Sequence, residues 1–556
     1  MTTNAISGGS AFLTLLKDEG ITHMFGNPGT TELPIMHAMK DHQDLSYVLG
    51  LQESIVVAMA DGFSRASGKL SACNVHVAPG LGNAMGAIYN AKFTGTPMII
   101  TAGQQEQGHG LTEPLLYDPL VPIATPLVKW ATEVNRLDDL PRIVRRAAKI
   151  ATTPPTGPVF LSLPGDVLND EMGLALGSST RVDTRTQPAP DVLVELATRM
   201  LAAENPVIVA GDELVKSDAL SEAADLAQTL GAAAYQQTVP YGAHFLSENP
   251  CFMGTLSRDQ DNVRDVLSPY DLMIVLGADP LRMSVWNANE PLPDHMKIIH
   301  IGLVDWEMGK NYAAEMAVLS DLKTTLAALM PVLRERGGEN FVARANSRCE
   351  TFSKRNWSTK RAALIPKLEA LADNSPLDPD WVTLRIVEAL PKNAVVVNEA
   401  LTSTRQLNAL RPYRDRYDFH AFASGGIGWA LPAAIGIQLA DMDRPVCALI
   451  GDGSAMYSIQ ALWTAANMKL PITYIITNNA SYRILKQRLL SFHDNNNYVG
   501  MELSDPPLDF TAIARGMGVT AERITEADAL MPALAAALAN PGPNLLDICV
   551  DGGVGG

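Results

Sequence analysis

Residues 446–479 read VCALIGDGSAMYSIQALWTAANMKLPITYIITNN, and the fold is decided there. VCALI is a continuous β-rich apolar run, as in a strand buried on both faces, and GDG is the turn at its carboxyl end. Ser454 is placed to cap a helix running through SIQALWTAANM. Pro471 then leads a second strand, ITYIIT, which ends at Asn478 and Asn479. A right-handed βαβ unit puts both strand ends on one edge of a parallel sheet, the edge where open α/β sheets bind ligands. Asp452 and Asn479 are therefore expected to converge, offering oxygen donors only. Such donors suit Mg²⁺ or Ca²⁺ and leave positions for phosphate and water. Gly453 would let a phosphate approach the backbone, and the helix start at Ser454 would favour its charge. The alternative is an Asp-Gly turn beside an Asn-rich loop, without a ligand.

Working outward, the same alternation fills the chain. ITHMFG, LSYVLGL, PMIITAG, PVFLSLP, NPVIVAG, DLMIVLGAD, MKIIHIG, NAVVVNE and PNLLDICV are short apolar runs separated by helix-sized segments. The fold class is α/β, with doubly wound parallel sheets. Polar or charged breaks at residues 170–190 and 335–378 divide the chain into domains at 1–175, 188–335 and 378–550, with 336–377 as a linker. Residues 82–101 and 453–477 both carry Gly-x-Ala-Met at a helix start and then a strand ending Ile-Ile-Thr. Either two βαβ units are alike by chance, or the first and third domains share a fold and the first lacks the acidic turn.

Composition narrows the function. A net charge of −17 over 556 residues argues against nucleic acid or an anionic membrane as partner. Five cysteines without a CxxC pair fit reduced thiols rather than a disulfide framework. No signal peptide and no spanning apolar run are legible, so a cytoplasmic protein is expected.

The turn GDG, 24 residues and then NN is similar to the signature of thiamine-diphosphate enzymes. That resemblance implies a pyrimidine-binding, a middle and a diphosphate-binding domain, with the metal held by Asp452, Asn479 and the carbonyl of Ser481. It also implies a carboxylic acid at the cofactor's pyrimidine ring. Glu53, in LQESIVVAMADGFSRASG, matches the family's pattern for that acid.

FGNPGTTELP, NVHVAPGLGNAMGAIYNA, GGIGWALPAAIGIQLA and GDGSAMYSIQALWTAA together resemble the benzoylformate decarboxylase family, and more distantly acetolactate synthases. The resemblance places Thr30 at a substrate-carboxylate position and His76, in the strand NVHVA before a PGLGN turn, at a catalytic histidine. Ile427, beside Gly425, takes the position that props the cofactor, while Gly453, Ser454, Tyr457 and Tyr482 flank it. Three departures stand out. Ser284 replaces a second histidine, Ile484 replaces a small pocket residue, and Ala480 replaces a glycine beside the metal loop.

No GxGxxG opens a helix after a strand, so a spacer role is expected of the middle domain. FAD, which related enzymes hold there, stays a disfavoured alternative. The resemblance implies a thiamine-diphosphate-dependent, non-oxidative 2-oxo acid decarboxylase. A carboligase that uses an aldehyde acceptor to form 2-hydroxy ketones is the second reading, and a catalytically silent partner subunit the third. It also implies a homodimer or homotetramer with active sites between subunits.

Overall fold

The computed structural model describes residues 5–284 and 287–554. Among these are three six-stranded sheets, each wholly parallel. Runs such as VVV at 395–397 and CALI at 447–450 are buried on both faces, which is why they read as unbroken apolar segments.

The first sheet runs Ser46–Leu49, His23–Gly26, Ser71–Val75, Met98–Gln104, Pro158–Pro164, Trp130–Glu133. The third runs Phe419–Ala421, Val395–Glu399, Val446–Gly451, Ile472–Asn478, Asn544–Cys549, Thr520–Ile524. Numbered within each unit, both have the order 2-1-3-4-6-5. The echoed segments end in the fourth strand of each, so the two units share a topology. The middle sheet, from Phe252–Thr255 to Met316–Leu319, follows the order 3-2-1-4-5-6 instead.

Equivalent helices of the outer units pack on each other. Helix Glu53–Ser67 crosses helix Ala430–Ala440 so closely that a Cβ on Gly436 would lie 1.9 Å from the Met59 carbonyl oxygen. One on Gly62 would lie 2.3 Å from that of Ala433. Only glycine permits this approach of two backbones. Ile55, Met59 and Phe63 thereby join Leu431, Ile435 and Tyr474 in one core.

The middle unit has its own core, extended by Phe341, Ala345, Phe352 and Trp357. These residues lie in the stretch expected to be a linker. That stretch is helical over Leu322–Ser353, with a break at Gly338, and over Trp357–Glu369.

Three local expectations are corrected. The segment from Ser454 through SIQALWTAANM is covered by two helices, Asp452–Ser458 and Ala461–Asn467, rather than one. The first begins at Asp452 with Gly451 as its N-cap, so Ser454 lies inside the helix. PGLGN is not a turn but the first part of helix Val77–Thr94, whose N-cap is His76. Proline is tolerated in a first helical turn because its missing N–H has no partner there anyway.

Candidate active site

Each sheet reverses its strand order between its first strand and the neighbour on the other side, and ligands of open α/β sheets bind beside that point. All three switch points carry a buried glutamate that accepts backbone N–H groups. Two of these three, Glu32 and Glu399, stand among the candidate residues.

In the amino-terminal unit, Glu32 ends the short turn Thr30–Glu32 after the first strand. Its Oε1 accepts from Gly103 N at 2.8 Å and from Thr31 Oγ1 at 2.9 Å. Its Oε2 accepts from Gly29 N at 2.8 Å and from His76 Nδ1 at 2.7 Å. A carboxylate oxygen in this contact is matched by a proton on Nδ1, which would leave Nε2 as the ring nitrogen turned away from Glu32. A Cβ on Gly29 would sit 2.1 Å from His76 Nδ1, so glycine makes room for the ring. Thr30 is exposed on a groove of about 820 Å³ shared with Thr31, Ser10 and Gln104.

Glu53 is the first residue of its helix, which Gln52 caps by accepting from Ser54 N at 2.6 Å. The Glu53 carboxylate is buried and accepts from Asn83 Nδ2 at 3.1 Å. A Cβ on Gly80 would lie 2.9 Å from Glu53 Oε1, so the PGLG segment leaves space for the carboxylate.

In the carboxyl-terminal unit, Asp452 is buried at the end of the third strand. Its Oδ1 accepts from Gly453 N at 2.8 Å; its Oδ2 accepts from Asn479 N at 3.1 Å and Ser481 N at 3.2 Å. Burial pushes its carboxyl up to about 6, against these donors. Asn479 Oδ1 accepts from Ser481 Oγ at 2.9 Å. Asp452, Asn479 and Ser481 are thus gathered in one cluster. Between the last two, Ala480 adopts a φ of 52°, the left-handed region that an alanine enters at a cost. Tyr482 covers Gly453, where a Cβ would lie 2.4 Å from its ring.

Glu399 organises the loop over residues 422–429 that holds Gly425 and Ile427. It accepts from Gly428 N at 2.5 Å and Ala430 N at 2.6 Å, and Ser454 bonds to it as well. Burial raises its carboxyl to about 7, opposed by those bonds. Tyr457 sits against Gly428, whose φ is 96°. The same loop is tied to the amino-terminal unit. Asn90 Oδ1 accepts from Ala423 N at 3.0 Å, and Asp61 Oδ2 accepts from Trp429 Nε1 at 2.7 Å. Glu32, Glu399 and Asp61 are functional candidates that motif reading passed over. Only the end-of-strand position of Glu399 and the TTE at residues 30–32 gave a signal.

Among the described residues, no hydrogen bond joins Glu53, His76 or Thr30 to Asp452, Asn479 or Ser481. The candidates therefore form two hydrogen-bonded groups, one in each outer unit. Ser284 stands in an exposed bend of the middle unit and bonds to none of them, and Ile484 lies near the start of helix Arg483–His493. At the middle switch point Glu213 fills the crevice. Its carboxylate accepts from Leu303 N and Val304 N, and burial raises it to about 7.

Three family models match the chain in order. They are the thiamine pyrophosphate enzyme N-terminal TPP binding domain over residues 6–115, the central domain over 193–329 and the C-terminal TPP binding domain over 402–548. The chain belongs to the thiamine pyrophosphate-dependent enzyme superfamily, near benzoylformate decarboxylases and acetolactate synthases. It is 33% identical over 545 residues to a benzoylformate decarboxylase of Pseudomonas aeruginosa, covering 97% of this chain and 98% of the relative. To an acetolactate synthase large subunit of Parasynechococcus marenigrum it is 28% identical, over 98% of this chain and 88% of that one. The crystal structure of benzoylformate decarboxylase from Polynucleobacter necessarius superposes with a TM-score of 0.88 at 31% identity, over 99% of both chains.

Proposed function

We propose that the protein is a thiamine-diphosphate-dependent, non-oxidative decarboxylase of a 2-oxo acid, of the benzoylformate decarboxylase type. The observation that carries this reading is the His76–Glu32 pair, in a chain similar to such an enzyme over almost its whole length. Bound thiamine diphosphate supplies the carbanion-stabilising chemistry that carbon–carbon cleavage beside a carbonyl needs.

The residues at the third-domain edge suit such a cofactor. Asp452, Asn479 and Ser481 offer a carboxylate, an amide and a main-chain carbonyl, a hard-oxygen set for Mg²⁺ or Ca²⁺. Gly453, Ser454, Tyr457 and Tyr482 would line the diphosphate, and Gly425 and Ile427 the pyrimidine. Glu53 would hold a proton at a pyrimidine ring nitrogen. Thr30 would orient the substrate carboxylate, and His76, fixed through Nδ1, would move a proton at Nε2. Glu213 in the middle crevice supports a spacer role for that domain rather than FAD binding.

Two copies are expected in this reading, since the family resemblance pairs the Glu53 side of one chain with the Asp452 side of another, and no hydrogen bond joins the two groups among the described residues. Tyr457 is 58% exposed, and Tyr89 and Leu51 are each 44% exposed, which supports a homodimer or homotetramer assembled over them. Sedimentation of a stable active monomer would contradict it. Among the described residues, no helix is long and apolar enough to cross a membrane.

Carboligation is the second reading. Ser284 brings no imidazole to the position of the family's second histidine, which favours attack on an aldehyde acceptor over protonation. Supplying benzoylformate and pyruvate separately and identifying the products by mass spectrometry separates the two. Free aldehyde supports the decarboxylase, and 2-hydroxy ketone alone overturns it.

A further inference from the structure

Cys251 and Cys349 are 98 residues apart in the chain, yet their Sγ atoms lie 3.5 Å apart. Sequence reading treats them as unrelated single thiols, and only the fold of the middle unit brings them together. Cys251 is buried immediately before edge strand Phe252–Thr255, with its backbone N bonded to Asn249 Oδ1 at 2.9 Å. Cys349 is partly exposed on the segment beyond the Gly338 break.

Both carriers are fixed in place. Arg348, next to Cys349, donates to Gly231 O at 3.0 Å, to Glu204 O at 2.8 Å and to Leu230 O at 2.5 Å. A Cβ on Gly231 would lie 2.5 Å from the Ala345 carbonyl oxygen, so this helix rests directly on the end of helix Leu220–Leu230. The short sulfur separation therefore belongs to packed elements rather than to a loose loop. A disulfide requires S–S of about 2.05 Å, so roughly 1.5 Å of closure remains between the two sulfurs.

We propose that Cys251 and Cys349 are a thiol–disulfide modification site, oxidised by low-molecular-weight disulfides such as oxidised glutathione. The Cys349 thiolate attacks one sulfur of the oxidant, forming a mixed disulfide and releasing one thiolate. Cys251 then loses its proton and attacks Cys349 Sγ. The Cys251–Cys349 bond forms, and the second small thiolate leaves and takes up that proton. Two protein thiols lose two electrons, and the oxidant is reduced to two thiols.

The surroundings assign these roles. Cys349 is the partly exposed member and so the one an oxidant reaches, and its contact with Cys251 and the Arg348 charge lower it against its burial. Cys251 is raised by the same contact and by burial, so it suits the resolving position. Among the described residues no other two thiols lie within hydrogen-bond reach. Cys73 and Cys447 are buried, and Cys549 stands apart. The bond would pin the edge strand to the helical segment just before Trp357 and Arg361. Those two reach the carboxyl-terminal unit through Asn408 O at 2.8 Å and Leu410 O at 2.7 Å.

The test treats the native full-length protein with oxidised glutathione, quenches with acid and maps alkylated cysteine peptides by mass spectrometry. The wild type is expected to yield the Cys251 and Cys349 peptides joined, and separable by reductant. Cys251→Ser is expected to stop with one glutathione on Cys349, and Cys349→Ser to leave Cys251 free. A wild type that keeps both thiols free, or that stops at the glutathione adduct, overturns the proposal. Because the joined peptide is read in the wild type, the result does not depend on either variant folding.

Discussion

The Nδ1 of His76 lies 2.7 Å from Oε2 of Glu32, a residue 44 positions earlier in the chain. The pair sits at the switch point of its sheet, and backbone donors from Gly29 and Gly103 hold the carboxylate. His76→Ala is expected to lower kcat about 10²- to 10⁴-fold, the usual span for a lost acid–base group. Glu32→Gln should lower it in the same direction but no further, since Glu32 acts through the imidazole. Steady-state turnover of a 2-oxo acid by the double variant checks this. A rate close to that of His76→Ala alone is expected, and multiplied losses would separate the two residues.

Ala480 stands at a φ of 52° between Asn479 and Ser481. Ala480→Gly removes the clash of Cβ with the backbone but adds freedom to the unfolded chain. The net expectation is a gain of about 1 kcal/mol or less, read as a higher thermal midpoint. A lower midpoint would show that the methyl group contributes packing that outweighs its strain.

Glu213 sets a pH dependence. Burial raises its carboxyl from 4.5 to about 7. Between those values the folded chain keeps a proton that the unfolded chain has lost. Its contribution to stability therefore falls as pH rises through this window and is constant above it. Glu213→Gln removes the titration, so the variant should gain on the wild type as the pH is raised, by about 1.4 kcal/mol for each pH unit crossed inside the window. Calorimetry of both proteins on either side of the window measures it, and a constant difference would contradict the raised carboxyl.

Ile484 is placed by family resemblance at the substrate pocket. Ile484→Ala is expected to raise kcat/KM for benzoylformate relative to pyruvate by about 10-fold, within the ~1–3 kcal/mol that one pocket contact carries. Competition between the two acids, with both products quantified, gives the ratio. An unchanged ratio would remove Ile484 from the pocket.

Much of this fold was legible because buried parallel strands announce themselves as unbroken apolar runs. The strands left unread are mostly edges, such as Trp130–Glu133, Met316–Leu319 and Thr520–Ile524. They are short and partly exposed, and packing rather than pattern makes them strands. Of the candidate site, the meeting of Asp452 and Asn479 followed from two strand ends and one βαβ unit, while Ser481 came only from the family resemblance. Glu32 and Glu399 did not, because their partners are backbone amides and side chains distant in the chain, such as His76 and Ser454, that no sequence pattern displays. The Cys251–Cys349 contact was equally hidden, as it depends on where a helix 98 residues away comes to rest.

Hydrogen–deuterium exchange at thiazolium C2, followed by proton NMR, tests most directly whether the protein is an active thiamine-diphosphate enzyme. It is made on the protein loaded with thiamine diphosphate and Mg²⁺, beside a Glu53→Gln variant whose cofactor binding is measured in parallel. Rapid exchange in the wild type is expected, slowed by orders of magnitude in a variant that still binds the cofactor. A wild type that binds thiamine diphosphate and exchanges C2 no faster than the free cofactor would contradict an active thiamine-diphosphate enzyme built around Glu53.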